Sequence, residues 1–196
     1  MRIGNYTAQL EPGIEEESGY IAMKMTDGRS PFKLKLTNHS DLKCKVNVRI
    51  HDLDQGTWVL MPNGVANLER PVHIAEKFCA YAVGSEGGNA IGLTAGDPNN
   101  GLISIKFTPA KLLQPHAPTP PSAPASVGAR YSPTQSRADF GAAGVGTEGE
   151  SKQAFQTVDD FATDEREAVT INLRIVESKS KPRPLSAASN PIPPAL

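Results

Sequence analysis

The strongest constraint on this chain is a period of two. In FKLKL (32–36), Phe32, Leu34 and Leu36 are separated by Lys33 and Lys35. In CKVNVRI (44–50), Cys44, Val46, Val48 and Ile50 alternate with Lys45, Asn47 and Arg49. Successive side chains of a strand point to opposite faces, so each run has one apolar and one wet face, whereas a helix would scatter both kinds around its axis. The same period links Tyr6, Ala8 and Leu10, then Ile21, Met23 and Met25, then Ile103, Ile105 and Phe107. TWVLM (57–61) and VANLERP (65–71) read as shorter strands, and KFCAYAV (77–83), apolar on both sides, as a strand buried on both.

Turn chemistry punctuates these runs. Asp27-Gly28 suits a tight turn with positive φ, NHSD (38–41) is a turn, and Pro62-Asn63-Gly64 is a hairpin signal. About eight turn-linked strands without a long amphipathic helix predict an all-β domain over residues 1–111. The expected form is an antiparallel β-sandwich, jelly-roll-like or immunoglobulin-like.

Beyond Lys111 the composition changes. Residues 112–152 read as a Pro/Gly-rich linker: QPHAPTPPSAPAS (114–126) lacks the amide donors of a sheet interior, and GAAGVGTEGE (141–150) reads as flexible. From Asp139 to Glu167 there are eight acidic and two basic residues, a locally acidic stretch. The alternation returns in AVTINLRIVE (168–177), with Val169, Ile171, Leu173 and Ile175 on one face. The β-forming segment 153–177, with QAFQTV (153–158) as a companion strand, returns to the sandwich or pairs with a neighbouring chain. Return is favoured, because loop-closure cost grows only logarithmically with length. Residues 178–196 read as a tail. The C-terminal extension thus carries one further strand.

Composition narrows the function classes. The chain has 196 residues, 38% of them hydrophobic, with 17 glycines and 17 prolines, so a modest core and a sizeable non-core part are expected. A net charge of −1 gives no strong general pull toward nucleic acid. No apolar run reaches the roughly 18–20 residues of a membrane span. The start MRIGNYTAQLEPG lacks the apolar run of a secretory signal, so cytoplasmic synthesis is expected, with Cys44 and Cys79 as thiols.

The stretch that looks most chemical is RIHDLDQGTW (49–58). Asp52, Asp54 and Gly56 resemble the start of a calcium loop, but the positions that need an oxygen ligand, a glycine and a bidentate glutamate hold Gly56, Thr57 and Asn63. A hairpin with DLDQG as its turn is the better reading. Cys44, Trp58 and Cys79 follow the Cys…Trp…Cys order of immunoglobulin domains, yet Trp58 lies only 21 residues before Cys79 and Lys77 stands where that pattern has a tyrosine. Two buried free thiols are expected instead.

The glycine-rich stretch 84–101 has no phosphate-loop pattern and reads as a long surface loop able to carry recognition. His39, His51, His73 and His116 have no partners at metal spacing, and Glu15-Glu16-Glu17 reads as a solvated run. The glycosylation patterns at Asn5 and Asn38 are read as unmodified. Lys33, Lys35, Lys43, Lys45 and Arg49 are expected on the outward faces of two adjacent strands, as edge protection or as a strip that attracts an acidic surface, for which another copy's 139–167 segment is a candidate.

No catalytic, cofactor-binding or metal-ligating residue is selected. The functional expectation is a non-enzymatic structural or assembly protein, a β-sandwich subunit whose extended arm contacts other protein subunits, its own copies included, in a capsid-like or surface particle. The alternative is a carbohydrate- or peptide-binding module that uses the 84–101 loop, with an exposed Trp58 as its mark. An enzyme is the third reading and has the least support.

Overall fold

The computed structural model of the chain describes residues 1–16, 19–112 and 140–178. In chain order the strands are β1 (Arg2–Ile3), β2 (Tyr6–Glu11), β3 (Ile14–Glu15), β4 (Tyr20–Met23), β5 (Arg29–Pro31), β6 (Lys33–Asn38) and β7 (Cys44–Ile50). They continue with β8 (Leu53–Leu60), β9 (Val65–Leu68), β10 (Glu76–Ala82), β11 (Leu102–Pro109), β12 (Phe140–Glu150) and β13 (Val169–Ser178); a five-residue helix, α1 (Glu86–Ala90), lies between β10 and β11.

The protein is mostly β, and its strands form two sheets. One runs β1-β2-β6-β9; the other runs β5-β10-β12-β13-β11-β7-β8, with β4 joined to β13 and β3 to β4. The pairings are antiparallel except for the parallel pair β4 and β13. The alternation seen in the sequence sets the register. Ala8 lies opposite Leu36 and Leu10 opposite Leu34 in the first sheet, and Val46 and Val48 face Phe107 and Ile105 in the second. One cluster of buried residues draws on both sheets, and Tyr6 of β2 stacks on Phe107 of β11 across it, ring centroids 4.7 Å apart.

Strand β13 sits in the middle of the larger sheet. It pairs with β11 from Val169 to Arg174, with the first residues of β12 at Val176 to Ser178, and with β4 from Arg174 to Glu177. Ile171, Leu173 and Ile175 are fully buried there.

Several expectations need correction. Residues 141–150, expected as flexible linker, belong to β12, which pairs with β10 along Glu76–Ala82. Inward it presents Ala143 and Val145; its outward Gly144 and Gly146 leave room for Leu93 and Ile91 to lie on the strand. Small residues served close packing here, not mobility. QAFQTV (153–158) is not a strand, although it is docked, as described below. Pro62-Asn63-Gly64 does not close a hairpin: β8 and β9 lie in different sheets. Gly64 N–H bonds Met61 carbonyl at 3.0 Å, and φ is 52° at Asn63. That is a type II turn, whose geometry splays strands instead of matching their twist, so it suits a crossing between sheets. The short strands β1, β3 and β5 were below what alternation reveals. The proline-rich 114–126 and the tail after Ser178 lie outside the described residues.

Candidate functional site

The hairpin between β7 and β8 turns through His51 and Asp52 alone, with φ of 49° and 62°. Ile50 pairs directly with Leu53, so the turn is two residues long and DLDQG is mostly strand. Positive φ at both central residues is the twist-matched hairpin geometry, and His and Asp tolerate it better than most side chains. The three polar groups diverge. His51 Nε2 accepts the Gly101 N–H at 3.1 Å. Asp54 Oδ1 accepts from Asn47 Nδ2 at 2.9 Å and from Gly56 N–H at 3.0 Å. Asp52 offers its backbone carbonyl to Arg49. Burial holds the His51 imidazole below its ordinary pKa, against the opposing pull of Asp97 and Asp52. It is a neutral latch between the hairpin and the end of the 84–101 loop.

The thiols are far from nucleophilic. Cys44 lies in the core at the start of β7, where burial pushes its pKa up to about 12. Cys79 points to the other face of β10, toward Glu148 Oε2 at 3.7 Å, and burial also raises its pKa. Neither forms a disulfide. Tyr81 hydroxyl meets the same carboxylate at 3.2 Å, and Arg29 forms an ion pair with it. The Tyr81 phenol is raised mainly by burial, and Cys79, Tyr81 and Arg29 all converge on the Glu148 carboxylate.

The first half of the 84–101 loop rests on β10 and β12, whereas Thr94–Asn99 are exposed, as expected of a surface loop. Ser85 Oγ caps α1 by accepting from Gly88 N–H at 3.0 Å. A β-carbon on Gly87 would meet the Tyr81 ring, and Ile91 and Leu93 rest on Gly146 and Gly144. Trp58 points inward and is only 8% exposed, so the aromatic platform of a sugar site is missing there. Asn38 is fully buried, its amide bonded to the carbonyls of Leu42 and Met61, which puts that glycosylation pattern out of reach.

The expected strip of cations divides between sheets, because β6 and β7 are not neighbours. Lys33 pairs with Glu69 at 2.7 Å and Lys35 with Glu11 at 3.5 Å on the smaller sheet. On the larger sheet Lys45 pairs with Asp160, Lys106 pairs with Glu165 at 2.6 Å, and Lys43 lies 4.1 Å from the centre of the Phe161 ring. The acidic partners of Lys45 and Lys106 therefore come from the chain's own 159–165 stretch.

That stretch belongs to a belt, residues 151–165, which crosses the body between β12 and β13. Gln153 completes the open edge of β9 with its side-chain amide: Oε1 accepts Glu69 N–H at 2.9 Å and Nε2 donates to Asn67 carbonyl at 2.6 Å. Unpaired edge groups are thereby satisfied without another strand. Phe155 packs on Trp58 and under the Arg70 guanidinium. Further on, Lys111 N–H bonds Ala162 carbonyl and Asp164 N–H bonds Pro109 carbonyl, each at 2.9 Å. Sequence reading missed the belt because its contacts, single side chains and isolated backbone bonds, follow no regular spacing; the acidic bias and QAFQTV were its visible signals.

The remaining feature is the outward face of β7, β11 and β13. Ser104 lies opposite both Arg49 and Asn172, and Arg174 lies between Leu102 and Tyr20. Ser104 Oγ donates to Asn172 Oδ1 at 2.7 Å. Arg174 Nε is buried with no hydrogen-bond acceptor among the described residues. Comparison with protein-family models, curated proteins and solved structures gives no match for this chain.

Proposed function

We propose that this protein is a non-enzymatic assembly subunit: a β-sandwich body whose chain beyond Lys111 reaches other protein subunits of a larger particle. The observation that carries the reading is the belt. A non-strand segment, distant in sequence, is held on the body's edges by Gln153, Phe155, Asp160 and Glu165. A body able to seat one such segment has the surfaces to seat others. In support, the side chains with chemical potential are occupied in packing: two high-pKa thiols, an imidazole accepting a backbone amide, and a Tyr–Glu–Arg network. No helix among the described residues is long and apolar enough to cross a membrane.

The test is light scattering on the full chain and on two variants, one ending at Ser178 and one with 113–139 replaced by a Gly/Ser segment of equal length. Both changes spare β12, the belt and β13. The reading expects assembly by the full chain and a folded, smaller species from at least one variant. A full chain that stays monomeric over the whole accessible concentration range would overturn it.

A further inference from the structure

We propose that the outward face of β7, β11 and β13, around Arg49 and Arg174, docks an acidic segment of a partner polypeptide. This rests on the assembly reading and names the kind of partner.

The chain itself shows how this face takes carboxylates. At one end, Lys45 and Lys106 are already matched by Asp160 and Glu165 of the belt. Toward the other end the same face carries two arginines that the belt does not reach. Arg49 is exposed and spends two of its donors on the Asp52 carbonyl, at 3.2 and 2.6 Å. Arg174 meets no carboxylate among the described residues, and its Nε is buried without an acceptor. Arg174 is half-buried with its Nε enclosed, so its terminal guanidinium nitrogens are what an incoming carboxylate can meet.

The register places the pair usefully. Arg49 stands on β7 and Arg174 on β13, with β11 between them. Strand spacing puts the two backbones roughly 10 Å apart, within the combined swing of two guanidinium groups. Same-face residues of an extended peptide repeat every ~7 Å, so acidic side chains at alternate positions can each meet one arginine. Guanidinium groups bind carboxylates through paired, charge-assisted hydrogen bonds. Ser104, Asn172 and Tyr20 add hydrogen-bonding groups around them, and Leu102 adds apolar surface.

A peptide fits better than a nucleic acid. Asp54 lies opposite Arg49, so the face suits spaced carboxylates that can avoid it better than the unbroken charge of a phosphate backbone. Tyr20 on neighbouring β4 and Phe161 of the belt stand at opposite ends of the face, so they do not form a row on which successive bases could stack. The chain's net charge of −1 supplies no general attraction.

The experiment titrates a synthetic ten-residue peptide of alternating glutamate and serine into the isotopically labelled full chain at low salt and follows backbone amide shifts. The expected shifts centre on residues 47–52, 102–106 and 170–176, and fade as salt is raised. Arg49→Gln and Arg174→Gln should each weaken binding about tenfold, whereas Lys33→Gln, on the other sheet, should leave it unchanged. Arg49 is exposed, so Arg49→Gln remains informative if the Arg174 variant does not fold. The proposal is overturned if the shifts fall elsewhere, if Arg49→Gln binds like the parent, or if an oligothymidylate of equal length binds these residues more tightly. An assembling chain that fails this titration removes the docking face and leaves the assembly reading standing; a monomeric chain that passes it does the reverse.

Discussion

Trp58 of β8 and Phe155 of the belt meet edge to face, their ring centroids 5.9 Å apart at 72°. This contact ties a segment without regular structure to the core between the sheets. Trp58 is the chain's single tryptophan, so it reports on the belt directly. Phe155→Ala should shift its emission to the red and cost about 1–2 kcal/mol, since Phe155 is only half-buried. Unchanged fluorescence and an unchanged denaturation midpoint would mean that the belt does not close this edge.

Gly144 supports Leu93 at its α-carbon, and a β-carbon there would fall within the leucine side chain. Gly144→Ala must push Leu93 and the rest of the 84–101 loop away from β12. A loss of about 1–3 kcal/mol is expected in urea denaturation, as for other overpacked sites. Wild-type stability in that variant would show that the loop is not packed as described.

His51 should make stability depend on pH. Its folded pKa lies below the ordinary 6.5, so the unfolded chain binds more protons in the window between the two values. Stability contributed by the neutral ring is complete above about pH 6.5 and is lost as pH falls through the folded value. His51→Asn keeps a side chain that tolerates positive φ and should flatten this part of the profile. Chemical denaturation across pH 4–8, roughly the range that brackets the His titration, makes the comparison. An identical profile in the variant would assign the slope to other groups.

Cys44, fully buried and with a pKa pushed up to about 12, should be inert to a thiol reagent in the native protein near neutral pH. Labelling should proceed at the rate of global opening and rise steeply in denaturant. Fast labelling under native conditions would show that the start of β7 is open to solvent.

Leu173 tests whether β13 belongs to the body. Leu173→Ala should cost about 2–5 kcal/mol, as expected for a fully buried leucine. Its neighbour Asn172 is exposed and its side chain bonds Ser104 at the surface, so Asn172→Ala should cost far less. Equal and small effects at both positions would place β13 outside the core.

Alternation made the strands readable. Each run with a clear period of two carries a strand, because burial on one face leaves little choice of register. Asp27-Gly28 turns tightly with φ of 52° and 74°, as those two residue types require. Where the sequence misled, one local signal had two tertiary meanings. Glycine-rich 141–150 could be a flexible linker or a strand that needs room above it, and only Leu93 and Ile91, some 50 positions earlier, distinguish the two. Pro62-Asn63-Gly64 marks a turn in either case, but only the pairing of β9 with β6 shows that it joins two sheets.

The sequence by itself determined that this chain is β and which side chains of the alternating runs face inward, because those properties depend on neighbours one to three residues apart. Tertiary structure alone decided which strands are partners, that β13 completes the larger sheet, that Lys45 of β7 and Lys106 of β11 meet the belt's acids, and that Arg49 and Arg174 share one sheet face. Those relationships join residues tens of positions apart, and pairing energy depends on spatial separation, of which local sequence carries no record.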